Sequence, residues 1–234
     1  MKKLFTIFTV VALTTTVSFA QFSAKAGLNL ANISSNNDDA DNSMKIGIII
    51  GGNYAIEISD AMSLNLSASF KQSGTKEEYE QSQPGYKLEQ TMKYNLNYLE
   101  LSPSLAFNVS DAVALSFGPY LAFAMSGKVE NEQVVSGSLA EAVGEDGTTT
   151  QSDAIKFGDG ENDDGIKAMD FGLNIGATYF INDLMNVSAG YALGLTNLIY
   201  VDDDMKDAAD AANEDVLSLK NTGIYISFGY SFGG

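Results

Sequence analysis

A serine motif near the end of the chain is the first candidate for chemistry. Residues 229–233 read GYSFG and match the G-x-S-x-G pattern of a hydrolase nucleophile elbow. That elbow needs a strand-to-helix turn and a histidine base, whereas this segment has the alternation of a strand and the sequence contains no histidine. We therefore predict that the match is accidental and that the protein is not an enzyme.

Two acidic segments are candidates for cation binding. Residues 159–165 resemble the start of a calcium loop, with Asp170 at its twelfth position, but the glycine required at position six falls at position seven, Gly165. The last long connection carries a second set, namely Asp202, Asp203, Asp204, Asp207 and Asp210. We interpret both as solvated acidic loops and assign no metal or cofactor site. Since clustered carboxylates repel one another, weak binding of Ca²⁺ or Mg²⁺ to these loops is an open hypothesis.

The composition excludes several classes of protein. The 234 residues include 30 acidic side chains and 13 lysines, which gives a net charge of −17, and they include no arginine, histidine, cysteine or tryptophan. Disulfides, cysteine nucleophiles and His/Cys zinc sites are therefore excluded. The composition also argues against a nucleic-acid partner, because binding to phosphates requires cationic side chains and this chain is poor in them.

The first 20 residues predict an export signal. Lys2 and Lys3 precede an apolar stretch over 4–13, and Ser18 and Ala20 are small residues at the positions expected before a cleavage site. Cleavage after Ala20 would leave residues 21–234 as one domain with a net charge of about −19. The sequence after residue 20 contains no run of 18 apolar residues, so it predicts no membrane-spanning helix.

Apolar residues alternate with polar or small ones along most of the remaining chain. Residues 62–71 are typical, since Leu64, Leu66 and Phe70 alternate with Asn65, Ser67 and Lys71. A period of two predicts strands with one apolar face. The same pattern occupies 22–31, 44–58, 113–125, 169–179, 185–195 and 224–232. The strand at 87–109 changes phase, so we predict a β-bulge near Tyr98 and Leu99.

Short and long connections alternate between these eight strands. The short ones are tight turns at 59–61, 110–112 and 182–184, and the long ones cover 34–43, 72–87, 129–165 and 201–217, the last with a short helix at 208–212. We predict an all-β, eight-stranded antiparallel up-and-down transmembrane β-barrel with short periplasmic turns and four long extracellular loops. With Glu89, the long segments hold 24 of the 30 acidic residues.

The two faces of the strands favour a membrane barrel over a soluble lipocalin-like one. The non-apolar face is mostly Gly, Ser, Ala and Asn, which suits a narrow lumen better than a solvated exterior. Aromatic residues near the strand ends suggest an interfacial girdle: Phe22, Phe70, Tyr94, Phe107, Phe123, Phe171, Tyr179 and Tyr230.

Charges on the lumen face form either a structural ion-pair network or a selectivity filter: Lys25, Lys45, Glu57, Lys71, Glu100 and Asp170.

Several segments resemble the PorT-like outer-membrane β-barrel family. They are FSAKAGLNLANI at 22–33, YLELSPSLAF at 98–107, GPYLAFAMSGK at 118–128, DFGLNIGATY at 170–179 and YALGLTNL at 191–198. The terminal IYISFGYSF at 224–232 resembles the strand that the barrel-assembly machinery recognises. Ser102 before Pro103, and two glycines after Phe232, depart from the family pattern. The resemblance implies an eight-stranded barrel in the outer membrane of a Gram-negative bacterium, and it implies no catalytic or binding residues.

The sequence thus predicts a non-enzymatic barrel with a structural or surface-interaction role through acidic extracellular loops. The alternatives are a narrow porin-like channel for small solutes and an accessory barrel of an outer-membrane secretion system. Expected partners are outer-membrane lipid, the barrel-assembly machinery during biogenesis and an unidentified extracellular molecule.

Overall fold

The computed structural model describes residues 22–36, 42–160, 163–201, 203–212 and 215–232, so the predicted signal segment lies outside the described residues. This part of the chain holds ten strands and two helices. The elements are β1 Phe22–Ser35, β2 Asn42–Ser43, β3 Lys45–Ser59, β4 Met62–Gln83, β5 Tyr86–Ser110, β6 Val113–Ser136, α1 Ser138–Val143, β7 Gly147–Ile155, β8 Met169–Phe180, β9 Met185–Gly194, α2 Asp203–Ala212 and β10 Leu219–Ser231.

Eight of the strands form a closed antiparallel barrel. The order around it is β1, β3, β4, β5, β6, β8, β9 and β10, and β10 returns to pair with β1 from Ser23↔Ser231 to Ser35↔Leu219. Closure leaves no unpaired edge around the barrel wall. The predicted eight-stranded up-and-down fold is confirmed.

Three tight connections lie at one end of the barrel, together with the two ends of the described chain. Two residues each join Ser59 to Met62 and Ser110 to Val113. The third turn is four residues long, and the Asn182 side chain closes it by accepting hydrogen bonds from the backbone N–H groups of Leu184 and Met185, both at 2.9 Å. This end is called the short-turn end below.

The four longer connections lie at the opposite end, and two of them contain long stretches of strand that the sequence pattern did not predict. β4 and β5 pair without interruption as far as Gln83↔Tyr86, so 72–87 is mainly a hairpin rather than a loop. Its turn is Pro84–Gly85, and Gly85 has φ of 80°, the left-handed value that a type II turn needs at its third position. In 129–165, β6 continues to Ser136 and β7 pairs with it.

The remaining long connections carry small elements. β2 adds two residues to β4 through Asn42↔Glu77 and Ser43↔Lys76. The helix predicted at 208–212 is present as the longer α2, which begins at Asp203. No helix in the described part of the chain has the length and apolar character needed to cross a membrane.

The predicted bulge is found at the predicted level but in the neighbouring strand. Asn97 pairs with Ser126 and Tyr98 pairs with Ala124, so the extra residue is Met125 of β6, while β5 pairs continuously with β4. β5 therefore does not change phase. Leu96 and Tyr98, each 2% exposed, point into the barrel instead of outward.

The barrel presents its large apolar side chains outward and its polar ones inward. Ser69, Ser102 and Ser227 are buried inside, whereas outward side chains remain exposed on every barrel strand, among them Ile46, Ile48, Ile50, Leu66, Leu99, Leu101, Leu115, Phe117, Phe171, Leu173, Ile175, Leu193, Ile224, Ile226 and Phe228. This polarity is the reverse of a soluble barrel and requires an apolar solvent around the wall.

The aromatic girdle prediction needs one correction. Phe22 and Tyr230 are exposed at the short-turn end, where the rings of Phe22 and Tyr54 lie 4.8 Å apart and those of Tyr230 and Phe232 lie 5.7 Å apart. Tyr94, in contrast, packs against the buried cluster inside the barrel. It is therefore part of the core and not of the girdle.

Candidate functional site

The lumen holds most of the buried polar side chains, and its contents change along the barrel axis. A cavity of about 580 Å³ occupies the half nearest the short turns. Its rim includes Ser59, Asp60, Asn108, Phe180, Asn186 and Ser231, and its floor includes Lys25, Lys71, Glu100 and Tyr225. Serine hydroxyls and asparagine amides dominate the wall between them. We call this cavity the vestibule.

An ion pair closes part of the vestibule floor. Lys71 Nζ lies 2.8 Å from Glu100 Oε2, and the two side chains are 10% and 9% exposed. Asn174 Nδ2 donates to the other carboxylate oxygen, Oε1, at 3.2 Å and to Ser102 Oγ at 3.0 Å. Both oxygens of Glu100 therefore have donors, as a carboxylate removed from bulk water requires.

A second polar layer lies behind the floor and centres on Asp170. Its Oδ2 accepts hydrogen bonds from the Tyr120 hydroxyl and from Asn221 Nδ2, both at 2.9 Å. Asn221 is held in turn by Ser73 Oγ, which donates to its Oδ1 at 3.0 Å, and its Nδ2 also lies 3.3 Å from the Tyr98 hydroxyl. The space among these side chains is about 10 Å³, room for one water molecule at most.

An apolar cluster fills the lumen beyond the Asp170 layer, towards the long connections. Its buried members are Ile33, Leu96, Tyr98, Tyr120, Ala122, Ile155, Ala192 and Leu198. Tyr98 and Tyr120 join the two layers, because their rings belong to the cluster while their hydroxyls reach the polar groups. The barrel is therefore open at one end and packed at the other.

Paired glycines make room for two tyrosines in the lumen. Gly172 faces Gly194 and Gly176 faces Gly190 across β8 and β9. A Cβ at Gly172 would overlap the ring of Tyr120, and one at either member of the second pair would overlap the hydroxyl of Tyr225. The glycines are needed because the tyrosines cross the barrel at these positions.

Six charged residues were predicted to face the lumen, and all six are on the inner face of their strands. Only Lys71 and Glu100 form an ion pair with each other. Asp170 is bonded to neutral groups, Glu57 lies near the vestibule rim, and Lys25 lies on its floor without an ion-pair partner among the described residues. The predicted network is thus one pair and separate charges.

The sequence analysis missed the neutral side chains that organise the lumen. Tyr98, Tyr120, Asn221 and Tyr225 had no charge or motif to mark them. Only position in the sequence could have marked two of them. Tyr120 and Tyr225 lie on the strand face that otherwise carries small residues, and β8 and β9 each have two glycines four positions apart.

The described residues of the two motifs that suggested other chemistry take part in strand pairing and in loop hydrogen bonds. Ser231 of the G-x-S-x-G match pairs with Ser23 at the end of β10, so the serine is in a strand and not in an elbow. In the acidic loop, Asp164 Oδ2 accepts from the backbone of Lys156 at 2.7 Å and Asp163 Oδ2 from that of Gly160 at 3.2 Å. No group of three or more metal-ligating side chains occurs among the described residues, which exclude Glu161, Asn162 and Asp202.

The sequence matches a family model that agrees with this inverted, closed barrel. The match covers residues 14–200, more than half of the chain, and the model is described as "Outer membrane protein beta-barrel domain". The chain belongs to this outer-membrane barrel family. It lies in the outer membrane of a Gram-negative bacterium. In barrels of this kind the short turns face the periplasm and the longer connections lie outside the cell.

The chain also has a low similarity to several solved structures. Neisserial surface protein A is 13% identical, with a TM-score of 0.43, and the match covers 91% of this chain and 97% of that one. The Ail protein of Yersinia pestis is 11% identical with a TM-score of 0.38, and CarO of Acinetobacter baumannii is 10% identical with a TM-score of 0.39; each match covers 89% of this chain and 97% of the other. No curated relative matches the sequence.

The outer-membrane barrel carries an acidic sheet outside the apolar wall. Residues 76–93 and 128–154 extend β4, β5 and β6, add β7, and contain ten acidic residues against four lysines. All four lysines are paired, as in Lys87 with Glu80 and Glu89 at 3.2 and 2.8 Å. The hydrogen bond from Lys128 also holds the pKa of the Glu130 carboxyl below its usual value. We call this region the extracellular sheet.

Proposed function

We propose that this protein is a non-enzymatic surface-interaction barrel that uses its extracellular sheet to bind a basic, extended partner. The observation that carries the proposal is β7. This strand pairs with β6 alone among the described strands, and every residue from Gly147 to Ala154 is exposed. An open strand edge offers backbone donors and acceptors to which a further strand can pair.

The charge of the extracellular sheet supports a cationic partner. Its net charge is −6, and its lysines are already paired with glutamates. Glu77, Glu141, Glu145, Asp146 and Asp153 have no lysine within 4 Å among the described residues. A basic partner would therefore meet carboxylates that need no existing ion pair to break.

The packed lumen argues against the porin-like alternative. The Lys71–Glu100 pair, the Asp170 layer and the apolar cluster lie one behind another across the channel. Purified protein in planar bilayers should give no discrete conductance steps. Reproducible steps in the wild-type protein would favour transport instead.

Peptide binding tests the interaction proposal. The barrel in nanodiscs should bind a fluorescent ten-residue peptide of alternating Lys and Thr, and it should not bind the Glu/Thr peptide of equal length. Neutralising Glu77, Glu141, Glu145 and Asp153 together should weaken binding at least ten-fold, whereas Asp207→Asn on α2 serves as the acidic control. Gln151→Pro should weaken binding by disrupting the β7 strand. Equal binding of the two peptides would contradict the proposal.

The remaining assignments are proposals as well. The segments quoted above support a place among PorT-like barrels, and the apolar wall supports lipid as a partner. The terminal strand supports recognition by the assembly machinery.

Binding of Ca²⁺ or Mg²⁺ to the acidic loops is tested by thermal unfolding. If the loops hold either ion, millimolar metal should change the midpoint temperature of unfolding. A secretion defect in a deletion strain, with normal peptide binding in vitro, would favour the accessory-barrel alternative.

A further inference from the structure

The vestibule floor carries an excess positive charge. It includes two lysines, Lys25 and Lys71, and one carboxylate, Glu100. Glu100 is already occupied, because Lys71 Nζ and Asn174 Nδ2 take its two oxygens at 2.8 and 3.2 Å. Lys25 Nζ has no hydrogen-bond acceptor among the described residues. The three charged groups therefore sum to +1.

The surroundings of Lys25 leave its ammonium accessible from the vestibule. Its neighbours across both adjacent strands are glycines, Gly51 on β3 and Gly229 on β10. No side chain stands directly beside it in either strand. Lys25 can therefore meet a molecule that enters from the periplasm.

A second donor faces the same cavity. The hydroxyl of Tyr225 lines the vestibule and has no hydrogen-bond partner among the described residues. Its position is fixed, because the side chain extends across Gly176 and Gly190. Lys25 and Tyr225 thus supply one charged and one neutral donor to the floor.

The nearest further carboxylate, Asp170, lies beside Lys71 and Glu100 and not beside Lys25. Asp170 belongs to the layer behind the vestibule floor, where its Oδ2 is occupied by Tyr120 and Asn221. Glu57 is six residues along β3 from Gly51, the partner of Lys25, which is about 20 Å of strand. That distance exceeds the screening length of about 8 Å at physiological salt.

We propose that the vestibule binds a small, hydroxyl-bearing organic anion from the periplasm, with its carboxylate or phosphate on Lys25 and Tyr225. A partly buried, uncompensated ammonium favours an anion because its own charge is poorly solvated. The serine and asparagine side chains of the wall bond the hydroxyls of the ligand. The acidic rim, with Glu57 and Asp60, repels long polyanions.

Ligand titration followed by backbone NMR of the barrel in nanodiscs tests this site. Gluconate and glycerol 3-phosphate are the carboxylate and phosphate probes, and sorbitol is an uncharged match for gluconate. We expect saturable shifts at Lys25, Gly51 and Gly229 with at least one anion, and a much weaker response to sorbitol. Shifts with only one of the anions would identify the preferred head group.

Substitutions separate the proposed site from general anion binding. Lys25→Met should weaken binding at least ten-fold and Tyr225→Phe about three-fold, while Lys87→Met on the extracellular sheet should leave it unchanged. Heat-modifiable migration on gels checks that each variant is folded, and Lys25→Gln replaces Lys25→Met if the latter does not fold. No saturable binding, equal binding of sorbitol, or full affinity in both Lys25 variants would overturn the proposal.

Discussion

Lys71 Nζ and Glu100 Oε2 lie 2.8 Å apart inside the barrel, on the neighbouring strands β4 and β5. Glu100 faces Ser69 in register, so the pair is diagonal on the inner face. Lys71 Nζ also lies 5.3 Å from the ring centre of Tyr120. The pair therefore links the vestibule floor to the packed half of the lumen.

Removing one charge of this pair should destabilise the barrel more than removing both. Lys71→Met leaves Glu100 with a single donor, Asn174, and we expect a loss of about 3 kcal/mol in the free energy of unfolding. Lys71→Met/Glu100→Gln should recover at least half of that loss. Reversible urea unfolding in lipid vesicles measures the cycle, with Lys93→Met on the extracellular sheet as the control. Additive losses would mean that the two charges do not depend on each other.

Widening the packed half of the lumen should create a pore. The variant Leu96→Ser/Tyr98→Ser/Tyr120→Ser removes three large side chains, each 2–3% exposed, from the cluster behind the vestibule. Planar-bilayer recording should then show discrete steps that the wild-type protein lacks. Tyr79→Ser on the extracellular sheet is a control that should stay silent. A folded triple variant without conductance would show that other groups close the lumen.

The stability cost of a side chain at Gly176 should depend on the hydroxyl of Tyr225. A Cβ at Gly176 would lie 2.6 Å from the Tyr225 hydroxyl, so Gly176→Ala should cost about 1–3 kcal/mol through overpacking. In a Tyr225→Phe background, which lacks that oxygen, the cost should fall by half or more. Gly52→Ala is the control because its nearest atom is a backbone oxygen at 3.6 Å. An unchanged cost in the double variant would place the strain in the backbone.

Outward and inward residues of β5 should differ in their response to a charge. Leu101 points outward and is 43% exposed, so Leu101→Lys should destabilise the barrel by about 2–4 kcal/mol if it lies near the middle of the bilayer. Ser104 lines the vestibule, and Ser104→Lys should change stability by less than about 1 kcal/mol because its ammonium reaches water. Vesicle-unfolding measurements compare the two. Similar losses would contradict the assigned faces.

Much of the barrel could be predicted because a two-residue period is a local property of the chain. Leu64, Leu66 and Phe70 alternate with residues that line the lumen, and the turns at Asp60 and Asp111 occur where that pattern pauses. Lys71, Glu100 and Asp170 could likewise be placed inside, since each follows an outward apolar residue in the sequence. The six charges on the lumen face were therefore predictable as a set.

The pairing of those charges was not predictable, because it depends on register and on strand tilt. Leu96 and Tyr98 look like outward residues in sequence, and the apparent phase change in β5 suggested a bulge there. The structure places both side chains inside and puts the extra residue, Met125, on β6. Apolar character alone does not distinguish a lipid-facing side chain from one in a packed lumen.

The sequence by itself determined the eight-strand barrel, the side of the wall that faces lipid and the absence of histidine and cysteine chemistry. These follow from residue types and from the alternation of neighbouring side chains along each strand. Only the tertiary structure decided that the lumen is packed behind an open vestibule and that 72–87 extends the sheet. It also decided that Lys71 forms an ion pair with Glu100, whereas Lys25 has no ion-pair partner among the described residues. Those outcomes depend on which side chains meet across a closed barrel, and residues far apart in the chain determine them.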